Sequence, residues 1–173
     1  MKQFLVIIIL VVFGCKNSNE VQPVEEIEPI ESIETDLEIY DFEGLKPFLN
    51  QEDDKIHVVN FWATWCAPCV KELPYFETVN RNYADKNVEV LLVSLDFPRQ
   101  YDTKLKPFLK KEQLNSKVIC FDDIDQNTWI PAIDKDWSGA IPATLIYKNG
   151  KRKFYEGSFT MENLEAELKN FLN

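Results

Sequence analysis

Cys66 and Cys69 stand two residues apart in FWATWCAPCVKELP, residues 61–74, and three kinds of chemistry use that spacing. A structural zinc site takes paired clusters of Cys and His, but the other candidates are Cys15, Cys120 and the single His57, so there is no second pair. A Cys–His nucleophile needs the two side chains within about 3 Å. His57 lies near the start of a strand that ends beside Trp62, and five strand residues cover roughly 16 Å. It reads as a partly buried strand histidine. A redox dithiol fits better. Where a strand runs into a helix, the first sulfur sits at the helix N-terminus, and unpaired N–H groups and the dipole favour thiolate over thiol. Cys66 is then the attacking thiolate, and Cys69, one turn along, resolves the mixed disulfide. A permanent staple is a poor use of the pair, because closing a loop of two residues removes little chain entropy.

The flanking elements must hold this arrangement. KIHVVNFW is a strongly apolar run, β-branched at its centre, and reads as a buried strand. After Cys66, Val70, Leu73, Phe76, Val79 and Tyr83 recur at three- and four-residue steps, so a helix begins at the cysteines, with Pro74 inside it as a kink. LEIYDF reads as a short strand, EGLKPFLN as a short helix, VEVLLVSLD as a buried strand and YDTKLKPFLKKEQL as a mostly polar helix. KVICF is a further strand and QNTWIPAID a short helical or irregular piece. ATLIYKNGKRKFYEG holds two strands around Asn149-Gly150, a dipeptide suited to a turn that needs positive φ twice. TMENLEAELKNFL closes the chain as an amphipathic helix capped by Thr160, with Leu164, Leu168, Phe171 and Leu172 inward. The order predicts an α/β fold, a central mixed β-sheet with helices on both faces. In GAIPATLIY, a cis bond at Pro142 would turn the backbone beside the sulfurs and leave Ile141 free to pair with an incoming peptide.

Composition limits the partners. The 173 residues are 45% hydrophobic with a net charge of −10, and residues 37–173 hold more acids than bases. No basic stripe is implied, so nucleic-acid binding is disfavoured. Residues 1–15 read as a lipoprotein-type signal: one lysine, ten apolar residues from Phe4 to Phe13, then Gly14 and Cys15 as the lipidated residue. Ten apolar residues are too few to cross a bilayer. VFGC departs from the usual lipobox at Val12 and Phe13. Residues 16–36, with seven acids, one lysine and two prolines, read as a flexible tether ahead of a folded domain over 37–173. The expected place is a bacterial cell envelope, lipid-anchored, with the domain outside the cytoplasm on the periplasmic side.

NFWATWCAPC, Glu72, Pro74 and AIPATLIY together resemble the thioredoxin superfamily, specifically its membrane-tethered extracytoplasmic TlpA/ResA branch. The resemblance implies a thioredoxin-like fold and thiol-disulfide exchange through a redox disulfide between Cys66 and Cys69. Pro142 matches the family's cis-proline, and Trp65, Ala67, Pro68, Ile141 and Pro142 are expected to face the substrate. Glu72 matches an acid that this branch keeps near the dithiol. One departure from ordinary thioredoxins matters: six residues before Cys66, where they carry a buried Asp that handles the second thiol's proton, this chain has Asn60. An amide cannot take that proton, so Glu72 is the expected general acid or base for Cys69, its pKa raised by burial and the nearby thiolate.

Ala67-Pro68 brings no charge and no free N–H at its second position, which points to a fairly reducing couple. The expected function is reduction of disulfides in other envelope proteins, in this branch often the thiols required for c-type haem attachment, with a membrane protein supplying electrons. No cofactor and no metal is expected. Two alternatives stay in view: a thioredoxin-fold peroxidase, which normally needs a Thr and a Pro arranged upstream of its cysteine where here Thr64 stands alone, and a non-enzymatic peptide-binding lipoprotein. Cys120 reads as a small buried hydrophobe. Trp62 is expected in the core, Trp65 on the active-site surface, and Trp129 and Trp137 beside a substrate groove.

Overall fold

A computed structural model describes residues 36–172. The signal-like segment, Cys15 and nearly all of the acidic tether lie outside the described residues.

The apolar runs form the strands. β1 (Ile39–Tyr40), β2 (Ile56–Trp62), β3 (Val88–Ser94), β4 (Lys117–Phe121), β5 (Ala143–Lys148) and β6 (Lys151–Glu156) make one sheet in the order β1-β4-β3-β2-β5-β6. The four strands from β1 to β2 run parallel, and β5 pairs antiparallel with both β2 and β6. Parallel central strands are buried on both faces, which is why β2 and β3 read as near-continuous apolar runs. Asn149 and Gly150 join β5 to β6 with φ of 47° and 80°, both in the left-handed region that this tight turn needs.

Side chains alternate across the sheet, so β2 feeds two cores. Ile56, Val58 and Trp62 pack with α2 (Ala67–Asn82), α3 (Lys106–Glu112) and α5 (Met161–Leu172). Val59 and Phe61 pack on the other face with Phe42 and Leu45 of α1 (Phe42–Leu45) and with Trp129 and Ile133 of α4 (Gln126–Ile133). Leu164, Leu168 and Phe171 of α5 are buried and Leu172 partly so, and the Thr160 hydroxyl accepts from Asn163 N–H at 3.3 Å. The helix expected over residues 101–114 is divided. Residues 101–105 wind as a wider π turn before α3, where Pro107 has no N–H to donate back along the helix. Pro74 lies within a continuous α2, and its carbonyl accepts the Thr78 hydroxyl at 2.8 Å.

Candidate active site

β2 delivers the chain to the sulfurs through residues 63–66, and that link is held from the next strand. Just beyond β3, the buried Asp96 accepts Thr64 N–H at 3.0 Å, the Thr64 hydroxyl and the Ser94 hydroxyl, the last at 2.9 Å. Leu95 N–H donates to Trp62 O at 2.8 Å, and Cys66 N–H to Ala63 O at 3.1 Å. Cys66 is the N-cap of α2. Its backbone is extended, its sulfur accepts Cys69 N–H at 3.3 Å, and its carbonyl accepts Val70 N–H at 3.0 Å, the helix's opening bond. A helix N-terminus thus points at Cys66 Sγ, the arrangement that stabilises a thiolate there.

The two sulfurs are joined as a disulfide with Cα atoms 5.2 Å apart. Cys66 is 6% exposed and Cys69 is not exposed at all, so an incoming disulfide meets Cys66 first. Ala67 and Pro68 are exposed beside it. The Ile141-Pro142 bond is cis, and the Ile141 carbonyl oxygen lies 3.8 Å from Cys66 Sγ. The ladder between β2 and β5 begins at Ala143, so Ile141 stands outside it, next to the sulfur.

Behind Cys69, one helical turn further on, Glu72 is 1% exposed. Asn60 donates its amide to Glu72 Oε1 at 3.0 Å, and Phe159 N–H donates to Oε2 at 2.7 Å. Burial is the larger influence and pushes the Glu72 carboxyl up from 4.5 to about 7, against the two donors that favour the anion. The Asn60 amide also donates to the Thr144 hydroxyl at 3.1 Å, tying β2 to the strand that follows Pro142. An aspartate at position 60 would set two buried carboxylates about 3 Å apart, where both cannot stay ionised. The amide removes that conflict and leaves one buried acid in the layer beneath the sulfurs.

Trp65 is 52% exposed and stacks on Phe97 with ring centroids 6.2 Å apart, so it lies on the surface as expected. Trp62 is fully buried. Trp129 lines a groove with Trp65 and Ile141, whereas Trp137 is packed among Phe61, Trp129 and Phe154 in the core. His57 is buried, bonded to Asp53 Oδ1 at 2.8 Å and stacked on Tyr147, engaged away from the dithiol. Cys120 is a free, buried thiol that burial and the charge of Asp96 push up to about 12. The residue the sequence reading missed is Asp96. Its only signal is an acid closing a mostly apolar run, VEVLLVSLD, and its partner Thr64 is 32 positions away.

A dithiol at a helix N-terminus, facing a cis-proline loop across a mixed sheet with helices on both sides, defines a thioredoxin-like fold. The AhpC/TSA family model matches residues 35–151. Among curated relatives, the thiol-disulfide oxidoreductase ResA of Bacillus thuringiensis subsp. konkukian is 34% identical over 140 residues, 76% of this chain and 72% of that protein. ResA of Geobacillus thermodenitrificans is 30% identical over 137 residues, 78% of this chain and 74% of that protein. The crystal structure of a thioredoxin-family thiol:disulfide interchange protein from Chlorobium tepidum TLS aligns with a TM-score of 0.58 at 20% identity, covering 76% of this chain and 90% of that one. The chain belongs to the AhpC/TSA family, among relatives named thiol-disulfide oxidoreductases, and is itself a thiol-disulfide oxidoreductase.

Proposed function

We propose that this protein reduces disulfides of other proteins outside the cytoplasm while tethered to a membrane through a lipid on Cys15. The observation that carries the reading is the unequal cover of the two sulfurs: Cys66 keeps a small exposed area beside the Ile141 carbonyl, and Cys69 is sealed behind it.

The reduced protein's Cys66 thiolate attacks one sulfur of the substrate disulfide. That S–S bond breaks, its other sulfur leaves as a thiolate and takes a proton, and a mixed disulfide joins Cys66 to the substrate. Glu72, in its carboxylate form, accepts the Cys69 proton. Cys69 then attacks Cys66 Sγ, the mixed disulfide breaks, and the substrate's second sulfur leaves as a thiolate that takes the proton from Glu72. Two electrons have passed from the dithiol to the substrate, and the Cys66–Cys69 disulfide remains. A membrane dithiol donor restores the reduced form, because the surroundings are oxidising. Trp65, Ala67, Pro68, Ile141 and Pro142 form the surface on which the substrate strand lies. Envelope proteins whose cysteines must stay reduced, such as those receiving c-type haem, are the proposed substrates.

Replacing Cys69 with Ser blocks the resolving step. The expected result is a covalent complex between Cys66 and a substrate protein that dithiothreitol releases. If the variant instead turns over peroxide as the intact protein does and traps no protein, the reductase assignment is wrong. The hydroxyl a peroxidase would need near its cysteine is committed elsewhere here, since Thr64 donates to Asp96.

A further inference from the structure

Next to Cys66 lies a groove of about 530 Å³, of whose walls the exchange chemistry uses only Trp65 and Ile141. Its floor is apolar, made by Phe121, Trp129 and Ile130. Its rim carries three large side chains turned to solvent, Trp65, Phe97 and Ile124, the last 96% exposed. Among the described residues, three aspartates also line it, Asp96, Asp122 and Asp123, and no lysine or arginine does. Asp96 is buried and occupied with Thr64, and Asp123 accepts Phe42 N–H at 3.1 Å, while Asp122 is exposed. Arg99 lies over the Phe97 ring, 4.8 Å from its centre, and is not part of the lining. A separate cleft of about 330 Å³ between α2 and α3 touches neither Cys66 nor Ile141.

Position decides what enters the larger groove. Trp65 is the chain neighbour of Cys66, and Ile141, whose carbonyl approaches Cys66 Sγ, is part of the lining. A substrate cysteine bonded to Cys66 must therefore have its flanking residues at the mouth of this groove. A volume of this size falls within the ~300–1,000 Å³ typical of concave binding sites. Aromatic and apolar walls favour a bulky apolar side chain, and an acidic lining without cations favours positive charge close to it.

We propose that the groove binds the substrate segment flanking the attacked cysteine and selects segments that place a bulky apolar side chain beside a lysine or arginine. This rests on the reductase reading above and adds the substrate class to it.

The test uses the full chain in its reduced form and three synthetic peptides, each closed by an internal disulfide and differing only in the residue pair next to one cysteine: Leu-Lys, Leu-Glu or Ser-Lys. Hydroxyethyl disulfide, which has nothing to place in a groove, is measured alongside. The expected kcat/KM for Leu-Lys exceeds that for Leu-Glu by roughly five-fold, the reach of exposed charge pairing, and the gap narrows as salt rises. It exceeds that for Ser-Lys by roughly ten-fold, from loss of the apolar side chain. Asp122→Lys, at an exposed position, should invert the preference between Leu-Lys and Leu-Glu, and Ile124→Ser should reduce that between Leu-Lys and Ser-Lys. Equal rates for the three peptides, or a charge preference untouched by Asp122→Lys, overturn the groove assignment and leave the reductase reading standing. Failure to reduce both hydroxyethyl disulfide and every peptide overturns the two together.

Discussion

Asn60 and Glu72 meet at 3.0 Å in the buried layer behind the dithiol, the amide of β2 donating to the carboxylate of α2. Phe159, from the segment before α5, approaches the same carboxylate from the opposite side of the sequence. Three distant stretches therefore converge on one acid whose pKa burial places near neutrality. A group poised there exchanges protons readily in either direction, as a catalyst for sequential thiol steps requires.

Glu72→Gln removes the proposed proton carrier. The rate of disulfide exchange should lose its inflection near pH 7, where the carboxyl titrates, and fall roughly ten-fold at that pH. Stopped-flow measurements across a pH series check this, and a variant profile that overlays the parent's rules the role out.

Stability should carry the same signature. The Glu72 carboxyl is raised from 4.5 to about 7 in the folded state, so between those values the native protein holds a proton that the unfolded chain has released. Stability is then greatest below about pH 4.5 as far as this group is concerned, and declines as pH rises to about 7, by on the order of 3 kcal/mol at most. Urea melts of the oxidised protein at pH 5 and pH 8 should show the decline, and Glu72→Gln should flatten it.

Asp96→Asn keeps the shape of the side chain but loses its charge and one acceptor. With Thr64 N–H, the Thr64 hydroxyl and the Ser94 hydroxyl all directed at it, the expected cost is about 1.5–3 kcal/mol by urea melting. Residues 63–66 should also loosen, which would appear as faster amide exchange at Cys66.

Gly139 has a φ of +89°, and a Cβ there would lie 2.9 Å from Ile130 Cδ1. Gly139→Ala should therefore cost about 1–2 kcal/mol in a denaturant melt, from the unfavourable backbone conformation and the push on Ile130.

Cys120→Ala should cost about 1–2 kcal/mol as a buried packing loss and leave the dithiol's reduction potential unchanged. In the native reduced protein, iodoacetamide mapped by peptide mass should label Cys66 and spare Cys120, whose thiol is fully covered and pushed up to about 12.

Much of this arrangement can be read along the chain because it is local. Periodicity from Val70 to Tyr83 marks α2, the β-branched runs mark β2 and β3, and Asn149-Gly150 marks the final turn. CxxC at a strand-to-helix junction locates the sulfurs, and Asn60 in place of an aspartate draws attention to Glu72. What the sequence hides are relations across strands. Asp96 reaches Thr64 over 32 positions because β3 lies beside β2, and Phe159 reaches Glu72 over 87 because the segment before α5 packs against α2. Trp137 departs from its expected place beside the groove for the same reason. The segment around it reads as irregular, and only the fold shows its ring enclosed by Phe61, Trp129 and Phe154.

The sheet's two outer strands bear on how the protein tolerates crowding. β1 is only two residues long, and β6 opens with three cations in succession, Lys151, Arg152 and Lys153. Neither border invites another chain to extend the ladder, since one is too brief and the other repels a like-charged copy. Two copies that meet edge to edge can therefore remain separate molecules.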